Sequence, residues 1–242
     1  GTTSTVSATS NGNVSVTGDL STMDTIAVTG SSGTVTFAAA ATMASGNTIT
    51  VGANSAISLS AADADLVTAI TGAGTTTVTA LESTLGANLS TVTSTTVNAD
   101  LTMTADRTLT ADLTSVDTLA ISGNFAATVN STNAGTGTYT VAAGSTLNMA
   151  SDKIDLLTAA TGANAVATFD GGSVSLANGD TVAFTYKGTA YTTTLTDVSS
   201  VGAMNTAIAA TQNGGVALGA NKVVLSSTGV TGATNLVLTV GS

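Results

Sequence analysis

The segment TITVGANSAISLSAADADLVTAITGA, residues 48–73, recurs at residues 138–163 as TYTVAAGSTLNMASDKIDLLTAATGA. The two segments align without a gap at an offset of 90 residues, and 12 of the 26 positions are identical. A second match joins LSTMDTIAVTG, from Leu20, to LTSVDTLAISG, from Leu113, at an offset of 93 residues. These matches predict internal repeats at about residues 20–80 and 113–170, as in a chain built from copies of one structural unit.

A shorter period lies inside this repeat. Asp or Asn followed by Leu, and then by small polar residues, occurs at Asp19-Leu20, Asp65-Leu66, Asn88-Leu89, Asp112-Leu113 and Asp155-Leu156. Two of the gaps between these leucines are about twice as long as the others, and Met43 lies halfway across the first of them. The unit is therefore about 23 residues long, a length that indicates a solenoid.

Short runs with a period of two fill each unit, for example Ile26–Val28, Val35–Phe37, Ile49–Val51 and Ile57–Leu59. Such alternation turns apolar side chains inward and Thr or Ser outward. Aromatic residues make up only 3% of the chain and Pro is absent, so the interior should be thin and aliphatic, with uninterrupted ladders. We predict a mainly β fold in which residues 1–168 form a Thr/Ala-rich parallel β-solenoid. An elongated β-sandwich shows the same alternation and is the alternative.

The pattern changes near Phe169. Strands are predicted at Val174–Leu176, Thr181–Lys187, Tyr191–Leu195, Lys222–Ser226 and Asn235–Val240. Between them, Val201, Met204, Ile208 and their neighbours have helical spacing after a Ser200 N-cap. Residues 169–242 are therefore predicted to form a small α+β module with the order ββαββ.

This stretch resembles the small "IN" module inserted in flagellins, hook-associated proteins and some bacterial surface proteins. The matching residues are the paired strands, Met204-Asn205, Ile208, Gly215-Val216-Ala217, the run Lys222–Ser227 and Gly229. The resemblance implies a domain that decorates an extracellular polymer. The Thr/Ala-rich repeats are similar to those of Gram-negative S-layer proteins, which implies a surface lattice.

Composition excludes several kinds of site. With no His and no Cys, the chain has no Ser-His, Cys-His or Cys/His zinc chemistry. The 14 acidic residues outnumber the four basic ones, which are scattered, so nucleic acid is not an expected partner. No apolar run approaches the roughly 20 residues that span a bilayer, so membrane insertion is not expected either. The single Arg follows Asp106, which is most simply a turn ion pair, and we expect no enzyme activity.

Calcium is the chemical site that the acidic residues favour, because this ion takes six to eight oxygen ligands from carboxylates, amides and carbonyls. The candidate ligands are Asp63 with Asp65 and Asp152 with Asp155, which lie in equivalent loops of the repeat. Asp112 with Asp117, and Asp170 near Asp180, are further clusters. The competing interpretation is that Asp before Leu caps a turn with its side chain.

The sequence thus predicts an extracellular, cell-surface structural protein whose partners are copies of itself, assembled as a layer, filament or sheath. An adhesin stalk or a module that binds cell-surface glycan or ice is the alternative, and a glycan-active β-helix enzyme is a third hypothesis. The irregular spacing of threonine argues for ordinary solvated faces over an ice-binding array.

Overall fold

The computed structural model describes residues 5–30, 32–150, 157–160, 165–170, 178–187, 189–228 and 235–240. It is mainly β, with a parallel β-solenoid of about seven turns followed by a small α+β region. The solenoid prediction is confirmed, and the sandwich alternative is wrong because the repeated strands pair in parallel. We call one turn of the solenoid a coil.

The strands of the first coils, with one short helix among them, are β1 (Thr5–Ser10), β2 (Val14–Asp19), β3 (Thr25–Gly30), β4 (Thr34–Thr42), β5 (Thr48–Val51), β6 (Ala56–Ser60), α1 (Ala61–Leu66), β7 (Ala69–Thr79) and β8 (Val92–Thr102). The later coils contain β9 (Arg107–Leu109), β10 (Thr118–Ser122), β11 (Ala126–Val129), β12 (Thr138–Val141), β13 (Thr146–Ala150), β14 (Leu157–Ala160) and β15 (Ala165–Asp170). Short 3₁₀ turns lie at Leu81–Ser83 and Ser131–Asn133.

The remaining elements are β16 (Thr181–Tyr186), β17 (Thr189–Thr194), α2 (Val201–Ala210), β18 (Gln212–Asn213), β19 (Val216–Ala217), β20 (Val223–Thr228) and β21 (Asn235–Val240). The predicted hairpin, the helix after Ser200 and the last two strands are confirmed by β16 and β17, α2, β20 and β21. The predicted strand at Val174–Leu176 lies outside the described residues, and the boundary at residue 168 stays a prediction.

Backbone contacts divide the chain into two units. Unit 1 comprises Gly1–Leu101, Thr110–Leu119 and Gly135–Gly137, and unit 2 comprises Thr102–Leu109, Ala120–Ala134 and Thr138–Ser242.

Unit 1 contains two parallel ladders. One runs through β1, β3, β5, β7 and β8, and the other through β2, β4, β6, β7 and β8. Along the first ladder Thr5 pairs with Thr25, Thr25 with Thr48 and Thr48 with Ala69. Because these steps along the chain are unequal, the coil length varies around the predicted period instead of repeating it.

The interior of unit 1 is a column of aliphatic side chains. Ile26, Ile49, Ile70 and Val92 are successive partners along the first ladder, and all four are buried. Each contributes about 1.5–3 kcal/mol by leaving water, which with the ladder hydrogen bonds holds the coils together. Met43 is also buried, as its position in the period predicts.

Glycine allows the coils to approach closely. Gly72 has φ +120°, and a Cβ at this position would collide with the carbonyl group of Val51 in the preceding coil. No other residue type fits here without displacing backbone, because both the conformation and the space exclude a side chain.

The helix α1 changes the repeat at Leu66. Because α1 occupies residues 61–66, Leu66 is turned outward and is 44% exposed, whereas Val67 is buried in its place. The expectation that Leu66 is equivalent to the buried residues Leu20, Leu89 and Leu113 is therefore wrong. Its repeat partner, Leu156, lies outside the described residues.

In unit 2 a parallel ladder joins β9, β11, β13 and β15. Its step is constant, since Arg107 pairs with Ala127, Ala127 with Leu147 and Leu147 with Ala167. The last of these strands pairs antiparallel with β21, which in turn pairs antiparallel with β20. The helix α2 is attached to β20 through Asn205, whose side-chain amide binds both the N–H and the carbonyl of Leu225.

Candidate functional site

The two described calcium candidates have local partners. Ser60, the N-cap of α1, accepts a hydrogen bond from the Asp63 N–H at 3.1 Å and donates its hydroxyl proton to Asp63 Oδ2 at 2.6 Å. The first bond is that of an N-cap, whereas the second joins the two side chains and does not reach the Ser60 main-chain N–H, as it would in a capping box. Asp65 Oδ1 accepts the N–H of Asn88, in the next coil, at 2.7 Å.

The other two calcium candidates, Asp152 and Asp155, lie outside the described residues. Within the part of the chain that the structure describes, no three acidic side chains come together. Calcium at Asp63 and Asp65 stays a prediction.

Asp or Asn caps a turn with its own side chain at several of the described positions. Asp19, Asn88, Asp112 and Asn130 each accept, at Oδ1, the main-chain N–H and the side-chain hydroxyl of the Ser or Thr two residues later. For the first of these, the bonds from Ser21 lower the pKa of the carboxyl group. The turn-capping interpretation therefore holds for these motifs. It also explains why Asn-x-Ser/Thr sequences occur here, because the Ser or Thr hydroxyl donates a hydrogen bond to the Asn side chain that caps the turn.

Other carboxylates bind backbone in a neighbouring coil. Asp117 Oδ2 accepts the N–H of Val97 at 2.7 Å, and Asp106 Oδ1 accepts the N–H of Ala126 at 2.8 Å. Both bonds link residues 20 positions apart in the chain. These side chains connect successive coils where the ladder leaves a donor free.

Asn47 is a fully enclosed polar side chain at such a junction, with none of its surface exposed. Its Oδ1 accepts the N–H of Ala44 at 2.6 Å, and its Nδ2 donates to the carbonyls of Leu20, at 3.1 Å, and Met23. The side chain thus joins the turn that ends one coil to the turn that ends the coil before it.

The charges of unit 1 all have one sign. Its residues include no Lys or Arg and eight acids, which are Asp19, Asp24, Asp63, Asp65, Glu82, Asp100, Asp112 and Asp117. We define the threonine face as the outward residues of the segments paired along the first ladder, residues 25–29, 48–50, 69–71 and 93, namely Thr25, Ala27, Thr29, Thr48, Thr50, Ala69, Thr71 and Thr93. None of these side chains is charged.

The threonine face is a regular array, because its residues alternate with the buried aliphatic column and are aligned between coils. Ala27 pairs with Thr50, Thr50 with Thr71, and Thr71 with Thr93. Sequence reasoning missed it because the steps between these partners are unequal, which makes threonine look irregularly spaced. The alternation of Thr or Ala with aliphatic residues along each strand was the signal in the sequence that could have identified this face.

A second array of outward side chains lies on the other ladder of unit 1. We call it the β4–β6 face, and its residues are Thr34, Thr36, Ala56, Ser58, Thr75, Thr77, Thr96 and Asn98. It is also neutral, but Asp100 follows Asn98 on the same side of β8. Burial raises the pKa of the Asp100 carboxyl group.

Unit 2 contains an open groove of about 470 Å³ between α2 and residues 219–224. Asn205, Ala209, Ala220, Asn221 and Val223 are among its lining residues, and none of those lining it is ionisable. This groove offers a mostly apolar surface with amide groups but no acid or base for catalysis.

No protein-family model, curated protein or solved structure matches the chain. In the described residues, no helix has both the length and the apolar character needed to span a bilayer.

Proposed function

We propose that the protein is a non-enzymatic, extracellular structural subunit that assembles with copies of itself into a cell-surface layer, filament or sheath. The observation that supports this most is the uneven charge of unit 1. Unit 1 has eight acids and no Lys or Arg of its own, so two copies repel each other in most orientations. The threonine face offers a surface where that repulsion is smallest.

Association through the same face should also cost little conformational entropy. A protein surface normally carries about 25–35% charged side chains, which keep copies apart. Here the outward positions hold Thr and Ala, which lose little rotamer freedom on contact because Thr is β-branched and Ala has no χ angle. The coils beneath are fixed by continuous ladders, so the surface needs little reorganisation before it binds.

Electron microscopy of the purified full chain tests this function. Ordered sheets or fibres are expected, and the assembled fraction should increase with protein concentration and with salt, which screens the acids. A parallel series with a chelator tests the calcium prediction separately. Dispersed monomers across pH, salt and calcium would contradict the proposal.

A binding module is the second candidate, and the alignment of threonine supports it. Thr50, Thr71 and Thr93 form one column, and Thr25 and Thr48 begin another. A regular hydroxyl array of this kind is also a surface for ice or a neutral glycan. Thermal hysteresis, or a glycan-array signal, from a strictly monomeric sample would favour this function over self-assembly.

A further inference from the structure

We propose that Asn213, in unit 2, is a site of spontaneous deamidation, where the side-chain amide is lost and aspartate or isoaspartate takes its place. The chain has three Asn-Gly sequences, which begin at Asn11, Asn178 and Asn213. Glycine favours the reaction because it has no Cβ to shield its own main-chain nitrogen. The surroundings of the three sites differ, and only those of Asn213 leave the reacting groups accessible. The reaction is independent of the proposed function.

The chemistry needs no group outside the chain except water. The main-chain nitrogen of Gly214 attacks Cγ of Asn213, its proton passes to the departing side-chain nitrogen, and ammonia leaves. Water then opens the resulting succinimide. Hydrolysis at Cγ breaks the new bond and gives aspartate, whereas hydrolysis at the main-chain carbonyl breaks the original peptide bond and gives isoaspartate. Because both reacting atoms lie in adjacent residues, the first step depends mainly on the geometry that they can reach.

The local hairpin can reach that geometry. Asn213 ends β18, and the turn to β19 consists of Gly214 and Gly215, whose φ angles are +60° and +83°. These are the positive angles that a tight hairpin turn requires. Only two residue pairs join β18 to β19, and so short a ribbon opens at little cost in free energy. Opening frees the backbone of Asn213 to rotate until Cγ meets the Gly214 nitrogen.

The attacking nitrogen has no hydrogen bond to release. In the described part of the chain, the Gly214 N–H has no partner, and both Asn213 and Gly214 are exposed. The Asn213 side chain donates from Nδ2 to the Ala190 carbonyl at 3.0 Å. This bond is exposed as well, so water can replace it without leaving a buried group unpaired.

Asn178 is held in a way that should slow the same reaction. The Gly179 N–H donates to the Leu195 carbonyl at 2.8 Å, and Asn178 Oδ1 accepts the N–H of Val198 at 3.1 Å. The nucleophile and the group under attack must each leave a hydrogen bond before they can meet. Asn178 is therefore an internal control with the same following residue.

The third sequence, Asn11-Gly12, lies against the next coil of unit 1. The Asn11 carbonyl accepts the Ser32 hydroxyl at 3.3 Å, and a Cβ on Gly33 would collide with the backbone of Gly12. Rotation of this turn would disturb the coil beside it, so deamidation at Asn11 should also be slower than at Asn213.

Deamidation would change the structure of the hairpin as well as its charge. Aspartate has no amide donor, and its carboxylate would face the Ala190 carbonyl, so the bond that joins the hairpin to β17 would be lost. Isoaspartate also adds a methylene carbon to the main chain, which displaces residue 213 from its pairing with Val216. Because the loss of ammonia is irreversible, modified chains accumulate as the protein ages.

Incubation of the purified full chain in heavy-oxygen water at neutral pH tests the proposal. Peptide mass spectrometry measures the replacement of the side-chain amide by labelled oxygen at each asparagine, and chromatography separates aspartate from isoaspartate. Asn213 should react at least about tenfold faster than Asn178, where two hydrogen bonds must first break. The rate should rise with pH, because the attacking nitrogen loses its proton. In concentrated urea the three sites should react at similar rates.

Two variants test the consequence for the hairpin. Asn213→Asp should speed amide hydrogen exchange in residues 212–217. Asn178→Asp makes the same change in charge but keeps an acceptor for the Val198 N–H, so exchange near residue 178 should stay as in the wild type. The proposal is overturned if Asn178 or Asn11 reacts as fast as Asn213 in the folded chain, or if Asn213 stays unmodified while it reacts in urea. An order of rates that persists in urea would overturn it too, because sequence and not structure would then set the rates.

Discussion

Replacing Asn47 by Ala is expected to destabilise the fold by about 2–3 kcal/mol, because two partly buried backbone groups lose the side chain that binds them. These are the Ala44 N–H and the Met23 carbonyl, whereas the Leu20 carbonyl keeps the N–H of Met23. An orphaned group costs about 1–3 kcal/mol, and both groups are only partly shielded from water, so the lower part of that range applies to each.

Asn47→Asp keeps the shape of the side chain and changes only its charge and its hydrogen bonds. The carboxylate still accepts from Ala44, but it faces the Met23 carbonyl with a second acceptor and a charge, so at pH 7 it should be at least as damaging as Ala. Below the pKa of the new carboxyl group, one O–H donor returns. The deficit relative to wild type should therefore shrink as the pH falls.

Equilibrium urea unfolding followed by circular dichroism measures both variants. A lower midpoint at constant slope reports lost stability, whereas a changed slope reports that the coils unfold in separate steps. Asn98→Ala, at a half-buried outward position, is the control. If Asn47→Ala differed from that control by less than about 0.5 kcal/mol, which is the usual range of surface substitutions, the argument that this side chain joins two coils would be refuted.

Three further substitutions test the backbone and the charges. Gly72→Ala should cost at least about 2 kcal/mol in urea unfolding, because its Cβ meets the preceding coil, whereas Gly46→Ala, with nothing within 4 Å, should have little effect. Ala80→Gly should increase the free energy of unfolding by about 0.5–1 kcal/mol in the same assay, because Ala80 has φ +56°, where a side chain strains the backbone. A decrease in the free energy of unfolding would contradict the presence of that strain. Asp100→Asn should raise the unfolding midpoint at pH 7. Because burial raises the folded-state pKa, wild-type stability falls as pH rises through that pKa, so the gain should vanish below about pH 3.8. Asp24→Asn, at an exposed acid, is its control, and an equal gain there would indicate general charge relief.

The alternation of apolar and polar residues was enough to predict the aliphatic interior, because it depends on a period of two within each strand, and the period of about 23 residues favoured a solenoid over a sandwich. The length of each coil was not predictable in the same way. Extra residues are accommodated at the corners, so the step from Thr5 to Thr25 is shorter than the step from Thr25 to Thr48 although the stacked strands are undisturbed. The constant period inferred from the sequence was therefore an average over unequal coils.

The helix α1 was missed although its signal is present in the sequence. Ser60 and Asp63 have the spacing of a capping box, but the apparent repeat at Asp65-Leu66 suggested a turn like the others. The local cap overrides the repeat, and Leu66 leaves the interior as a result. The threonine face illustrates the opposite case. Its threonines look unevenly placed along the chain, and only the register of the strands aligns them.

The excess of acids over bases also has a structural reason in this fold. Each coil must turn, and each turn leaves main-chain N–H groups that the parallel ladders do not bind. Asp can accept such hydrogen bonds, as Asp65, Asp106 and Asp117 do towards other coils and as Asp19 and Asp112 do within their own turns. Lys and Arg offer only donors and cannot replace them. A chain that caps its coils in this way becomes acidic, which gives the excess of acids a structural reason that is independent of the proposed assembly.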